Sequence, residues 1–168
     1  MHRLYLAVVI LLLVCVGCGT TDPHKVPWRV LPNVDFDYDS TWNAGMGAVQ
    51  VHFPYLEHCN KDDMKIVSYH RLETDVNLTS PYQYAKRAFL VIRPRESTEG
   101  TTYDIEVHVG KYWRPRNLLK DLNEDWDLIG WDPELEEKII REFQNQTRQD
   151  QRVRQAHKNF KKHRGRGW

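Results

Sequence analysis

The clearest alternation of apolar and polar residues lies at residues 102–113, TYDIEVHVGKYW. Apolar residues recur there at every second position, which is the period of a strand with one buried and one solvated face. Residues 64–72 and 84–94 also predict strands, and residues 34–39 alternate apolar side chains with aspartates. The polar links between these runs indicate an antiparallel sheet.

The spacing of apolar residues becomes helical after residue 40. One apolar stripe is formed by Trp42, Met46, Val49 and Phe53. Asp39 or Ser40 is expected to cap this helix, and Pro54 is expected to end it. Gly45 and Gly47 are expected to let the helix lie close to the sheet.

Asp132-Pro133-Glu134 predicts the start of a second helix, because a capping residue is followed by proline and by an acid in the first turn. Leu135, Ile139 and Phe143 form its stripe, and apolar residues become sparse beyond them. The sequence therefore predicts an α+β fold. It would have a small antiparallel sheet of three to four strands, one or two helices packed on it, and a basic C-terminal tail, helical or disordered.

The first residues predict export. Leu4–Val16 is an apolar run of 13 residues that follows Arg3. It is too short for a comfortable membrane span, which needs about 20 residues, but it fits the core of a secretion signal. The run ends in Gly17-Cys18, which resembles the lipobox of bacterial lipoproteins, although Cys15 stands where that family has an aliphatic residue.

The resemblance implies that Cys18 is acylated, for example with palmitate, and that it becomes the mature N-terminus. The expected segments are a signal peptide at 1–17, a lipidated cysteine and tether at 18–27, the α+β domain at 28–143, and a basic tail at 144–168. The implied location is the bacterial cell envelope, and Gly19 in place of aspartate favours the outer membrane. The alternative is an ordinary secretion signal with a soluble product.

The charges are unevenly distributed: the body of the chain is acidic and its C-terminal end is basic. Residues 19–147 hold 15 Lys and Arg against 22 Asp and Glu, whereas residues 148–168 hold eight against one. Candidate contacts with anionic surfaces are Arg148, Arg152, Arg154, Lys158, Lys161, Lys162, Arg164 and Arg166. Expected partners are anionic lipid, a cell-wall polymer or the protein's own acidic body, besides an unidentified protein partner. The alternatives are a solvated end without a role and a nucleic-acid binder, and export argues against the latter.

A weaker resemblance concerns the domain itself. A capped helix after Asp37-Tyr38-Asp39, followed by the turn KDDMKIVS at 61–68, is similar to small helix-grip lipoprotein domains of the BamC-like kind. It is also similar to exported lipoproteins of planctomycete type. The resemblance covers roughly residues 30–115 and implies an accessory or scaffold role in the envelope, without catalysis.

Candidate chemistry is sparse. His52, His58, Cys59, Asp62 and Asp63 crowd one region, and their side chains are ligands that zinc or copper accepts. An exported enzyme or metal-binding module is the alternative function there, and a solvated loop with one buried cysteine is the simpler interpretation. Glycine-rich phosphate loops and nucleophile motifs are missing. We therefore expect no catalytic residues, no metal and no cofactor.

Trp126 and Trp131 in NEDWDLIGW allow two interpretations. Exposed indoles could stack on sugars or hold a partner peptide. Alternatively, they could cover an open edge or face of the sheet.

Overall fold

The computed structural model describes residues 28–73, 80–98, 100–116 and 126–164. Within these residues the chain forms seven strands and two helices. In chain order they are β1 (Arg29–Val34), α1 (Tyr38–His52), β2 (Leu56–Asn60), β3 (Lys65–Ser68), β4 (Arg71–Leu72), β5 (Tyr82–Ser97), β6 (Gly100–Pro115), β7 (Asp127–Trp131) and α2 (Pro133–Arg164). The α+β class is confirmed. The predicted number of strands was wrong, because the antiparallel sheet has seven strands rather than three to four.

A hairpin of two 16-residue strands forms the centre of the sheet. β5 and β6 pair without a break from Ser97 opposite Gly100 to Tyr82 opposite Pro115. β1 and β7 lie at different positions along the outer edge of β6, and β3 and β4 do the same along β5. β2 adds the last strand beside β3. Short strands from several parts of the chain therefore cover the edges of the long hairpin.

The core lies between one face of this sheet and the two helices. In the central part of the long strands every second residue is buried there: Ala88, Leu90 and Ile92 of β5, and Ile105, Val107 and Val109 of β6. The predicted helix stripes meet these residues, with Trp42, Val49 and Phe53 from α1 and Leu135, Ile139 and Phe143 from α2 all buried. The alternation in the sequence thus correctly identified the buried face of both long strands.

The two glycines of α1 make room for two different neighbouring elements. A Cβ at Gly45 would stand 3.3 Å from Cδ2 of Leu90, so the missing side chain lets α1 lie close to β5. Gly47 does not face the sheet as expected. A Cβ there would collide with the side-chain amide of Gln146, so this glycine makes room for α2 instead.

The missed strands are short and lie beside stronger ones. β2 and β7, of five residues each, fall in segments expected to be irregular, and the predicted strand at 64–72 is divided into β3 and β4. Residues of β2 and β7 alternate only between half-buried and exposed positions. Their pairing is therefore set by the neighbouring strand rather than by a hydrophobic pattern of their own.

The start of α1 also differs from the prediction. Asp37 is the cap, not Asp39 or Ser40: its Oδ1 accepts a hydrogen bond of 2.9 Å from the backbone N–H of Ser40. β1 already ends at Val34, and the alternation continues past it because Phe36 and Tyr38 pack against the core from the turn and the helix. The end of α1 is as predicted, since the helix stops at His52, two residues before Pro54.

The start of α2 is confirmed and is tied to the sheet. Asp132 caps the helix: its Oδ1 accepts a hydrogen bond of 3.1 Å from the N–H of Leu135. Its Oδ2 lies 2.9 Å from Nζ of Lys86. Lys86 also pairs with Glu73 at 2.7 Å. Burial opposes the charge on Asp132 most strongly, but the hydrogen bonds from Lys86 and Leu135 outweigh it and lower the pKa of Asp132. For Lys86, burial is likewise outweighed by its two carboxylate partners, so that its pKa rises.

The first turn of α2 fills a break in the sheet between β1 and β7. At that place on β6, the carbonyl of Val109 accepts a hydrogen bond of 2.8 Å from the N–H of Asp132. The N–H of Val109 donates a hydrogen bond of 3.0 Å to Oε1 of Glu136. Glu136 is only 3 % exposed. Nδ1 of His108 lies 3.2 Å from the same oxygen, a charge contact when the imidazole is protonated. Both backbone polar groups of the fully buried residue Val109 are thus satisfied by the start of a helix rather than by a strand.

We expect Glu136→Ala to lower the free energy of unfolding by about 2–4 kcal/mol, because the N–H of Val109 would remain buried without a partner. Glu137→Ala is the matched control, since Glu137 is half exposed and pairs with Arg29 and Arg141 only at the surface. Its cost should stay below about 1 kcal/mol. Urea unfolding of both variants measures the difference, and equal losses would contradict the role of Glu136.

Candidate functional site

The domain has two ends along the strand direction. The near end is where α1 finishes, and there the carbonyl of His52 accepts a hydrogen bond of 2.7 Å from Nη1 of Arg71. β1 begins between the two ends, with Arg29 opposite Val107. The far end is where β1 finishes, with Val34 opposite Tyr103, and where α1 begins. α2 starts beside Val109 and reaches the start of α1 with Asp150. The described chain therefore enters near the middle of β6 and runs away from the near end, and the basic part of α2 leaves at the far end.

Arg154 fastens α2 to the first turn of α1. Its Nη1 lies 2.7 Å from Oδ2 of Asp37, its Nε lies 2.9 Å from Oδ2 of Asp150, and its Nη2 donates to the hydroxyl of Ser40. The hydroxyl of Ser40 lies 3.0 Å from Oδ2 of Asp37 and 3.1 Å from Oδ2 of Asp150, and its single proton is donated to one of them at a time. We call this group, Asp37, Ser40, Asp150 and Arg154, the Arg154 clasp. Of the three partners proposed for the basic tail, one is thus partly realised within the chain, because Arg154 binds the acidic body.

Within the clasp, the charged forms of Asp37 and Arg154 are both stabilised. The backbone N–H of Ser40 holds the pKa of Asp37 below its ordinary value, and the Ser40 hydroxyl and Arg154 act in the same direction. The hydrogen bond to Asp37, with the nearby charge of Asp150, raises the pKa of Arg154. Beside the clasp, α1 and α2 form an open cleft of about 300 Å³ lined by Asp39, Ser40, Asn43, Ala44, Gln146, Thr147, Asp150 and Arg154.

The other predicted contact residues are distributed along the exposed part of α2. Thr147 is buried, but from Arg148 to His157 no residue is, and only Asp150 is half-buried. Arg148 and Arg152 line an open cleft of about 440 Å³ with Glu142, Asn145 and Gln149. Lys158, Lys161, Lys162 and Arg164 lie on the last turns of the helix. Arg166, like Cys18 and the predicted lipid anchor, lies outside the described residues.

The near end carries apolar side chains that the sequence did not single out. Tyr55 is 75 % exposed, Tyr69 55 % and Leu72 50 %. Together with Phe53, Pro54, His70 and Arg71 they line a mainly apolar cleft of about 280 Å³. We call Tyr55, Tyr69, Arg71 and Leu72 the aromatic patch. Tyr55 precedes β2, Tyr69 follows β3, and Arg71 and Leu72 form the two-residue β4, so no periodicity in the sequence could have grouped them.

The sheet face opposite the helices is covered by the domain's own rings. Trp28 stacks on His108 with ring centres 5.6 Å apart. Trp126 stacks on His70 at 4.9 Å, and the guanidinium of Arg114 lies 4.4 Å from the Trp126 ring. Burial, with Arg87 and Arg114 nearby, lowers the pKa of His70 to about 4. Of the two interpretations of Trp126, the covering role is the one that these contacts support.

The region considered for a metal is not assembled into one site. His58 and Asp63 form a half-exposed pair at 3.3 Å, whereas Sγ of Cys59 lies 3.9 Å from Sδ of Met46. Cys59 is exposed on β2 rather than buried in a loop, although partial burial of its thiol raises the pKa of Cys59. His52 lies on the last turn of α1, where burial lowers its pKa. Within the described residues, no group of three His, Cys, Asp or Glu is placed to hold a metal ion.

No protein-family model, curated protein or solved structure matches this chain. Among the helices that the structure describes, none is both long enough and apolar enough to cross a membrane.

The Arg154 clasp should hold the last part of α2 in register with α1. Arg154→Ala should speed amide hydrogen exchange at residues 150–157 roughly three- to tenfold, because the helix has no buried side chains there to retain it. Arg152→Ala, two positions away and without a partner within the described residues, is the matched control and should leave the exchange rates unchanged. Equal effects of the two substitutions would contradict the clasp.

The same segment should loosen in acid. A folded-state pKa held below the ordinary value means that Asp37 stabilises the native state above about pH 4, and that this contribution is lost as the pH falls through the folded pKa. We expect amide exchange at residues 150–157, corrected for its intrinsic pH dependence, to accelerate between pH 5 and about pH 3. Arg154→Ala should abolish most of this response. A pH profile that is the same in both proteins would refute it.

Proposed function

We propose that the protein is a bacterial envelope lipoprotein, anchored through Cys18 in the outer membrane, that holds a basic helix away from its anchor. In this proposal the domain is a non-catalytic spacer and binding module. The observation that carries it is the direction of the chain: β1 starts opposite the middle of β6 and runs away from the near end, and the basic part of α2 leaves at the far end. The anchor and the tail would therefore point in opposite directions.

The distances suit a spacer. From Pro133 to Arg154, α2 spans roughly 30 Å at 1.5 Å per residue, and it continues for about 15 Å more to Arg164. The tether at 19–27 could add about 30 Å when extended. The basic end would then stand several tens of ångströms from the lipid, beyond the reach of the membrane surface charge, which decays within about 8–10 Å.

This geometry favours one of the partners that the composition allows. A helix that points away from the anchoring leaflet meets a cell-wall polymer, or another anionic partner across the compartment, before it meets its own lipid head groups. Arg148 and Arg152 are exposed on that helix and line one cleft. Each basic residue at an anionic surface contributes about 1 kcal/mol, and salt screens the contribution.

Two substitutions test the two halves of the proposal. Cys18→Ala should abolish incorporation of radiolabelled palmitate and release the protein from the membrane fraction, whereas Cys15→Ala should do neither. Arg148→Gln/Arg152→Gln should weaken co-sedimentation with purified cell walls roughly 10- to 30-fold at low salt. Arg93→Gln/Arg95→Gln, which removes two exposed arginines from β5, is the matched control and should not.

The results separate the anchor from the partner. Unchanged labelling of Cys18→Ala, with a soluble product, would discard the anchor. Wall binding that is insensitive to salt, or equally reduced in both arginine pairs, would discard the tail as the binding element.

A further inference from the structure

We propose that the aromatic patch, Tyr55, Tyr69, Arg71 and Leu72, docks the near end of the domain onto the surface of the membrane that anchors the chain. This inference rests on the proposed lipid anchor at Cys18, and it adds an orientation: near end on the lipid, far end and basic helix away from it.

The fold fixes the backbone of the patch and the side chain of Arg71. The backbone N–H of Tyr69 donates 3.1 Å to the carbonyl of Tyr55, which holds the two segments side by side. Leu72 lies on β4 opposite Ala85 of the long strand β5. Arg71 is fixed by its hydrogen bond to His52 and by its position 5.2 Å from the centre of the Phe53 ring. Binding at a surface therefore requires the ordering of exposed side chains but not of the backbone that carries them.

The chemistry of the patch is that of a bilayer interface. Tyrosine is enriched where a membrane meets water, because its ring is apolar and its hydroxyl is polar. Leu72 supplies an aliphatic side chain, and the guanidinium of Arg71 has five N–H donors, of which a phosphate group can accept those not used within the protein. The cleft that these residues line is mainly apolar.

The length of chain before Trp28 argues for the membrane as the occupant. β1 starts opposite Val107 and runs away from the level of the patch, which lies at the other edge of the sheet, where β4 pairs with β5. Cys18 is ten residues before Trp28, and an extended chain of that length reaches at most about 36 Å. A lipid on Cys18 would hold the patch at a high effective concentration near the bilayer.

The size of the patch argues against a stable protein interface. Three exposed side chains and one arginine cover far less than the roughly 800 Å² per partner that specific complexes bury. A tethered surface does not need that area, because the acyl chains supply the affinity and the patch only selects an orientation.

A photo-crosslinking experiment on the acylated full chain tests this orientation. The protein is purified from cell membranes, its intact mass is recorded, and it is reconstituted in phosphatidylethanolamine–phosphatidylglycerol vesicles that contain a diazirine-bearing phospholipid. We expect lipid adducts on peptides that contain Tyr55 and Tyr69–Leu72, at least about tenfold more than on the far-end turn Lys61–Met64. Tyr69→Ser/Leu72→Ser should remove most of the adducts near its two positions.

Val30→Ser/Val153→Ser is the matched control, because it also removes two exposed apolar side chains, 47 % and 58 % exposed, but outside the patch. It should leave the adducts unchanged, and circular dichroism should show that both variants are folded. Adducts spread evenly over both ends, adducts that persist in Tyr69→Ser/Leu72→Ser, or protein–protein adducts at the patch in place of lipid ones would overturn the proposal.

The intact mass keeps this result apart from the fate of the anchor. An acylated protein without adducts at the patch would overturn the docking and leave the anchor standing. An unacylated protein that still forms adducts selectively at the patch would overturn the anchor and leave the docking standing. An unacylated protein without such adducts would overturn both.

Discussion

The fold depends on the backbone of Val109, whose buried N–H and C=O groups both need a hydrogen-bond partner. It lies in the longest strand pair, at a position on β6 where neither β1 nor β7 reaches, and it is buried. α2 satisfies it with a backbone N–H from Asp132 and a carboxylate from Glu136. Because these two groups lie in the first residues of α2, the contact fixes where the helix starts. The stripe of Leu135, Ile139 and Phe143 then fixes its direction, and the Arg154 clasp closes its far side.

That direction divides the domain into two chemically different ends. Aromatic and aliphatic side chains are exposed at the near end, and acidic side chains meet a basic helix at the far end. Neither surface would bind tightly alone, since one is small and the other is screened by salt. A lipid anchor would make both effective, because it turns a weak encounter into an intramolecular one. The proposed role therefore depends less on any single contact than on the separation that α2 imposes.

The sequence predicted what depends on local pattern and on core packing. Residues of β6 such as Ile105 and Val107, the stripes of both helices and the cap at Asp132 were identified correctly, because burial on one face leaves a period in the sequence. It did not predict β2 or β7, which pair through their backbones, or the cap at Asp37, where the alternation continues past the end of the strand. The aromatic patch and the Arg154 clasp join residues far apart in the chain. Their partners are set by the tertiary fold, and no local signal marks them.

The edges of the central hairpin have a consequence for biogenesis. The outer edge of β6 is closed by β1, which precedes the hairpin, and by β7 and the start of α2, which follow it. A chain that is threaded through a translocation pore from its N-terminus would deliver Glu136 after every strand, so the sheet could not be completed until nearly the whole domain had emerged. Until then part of the outer edge of β6 would stay unpaired, and in the proposed export this edge is the surface that chaperones would have to shield.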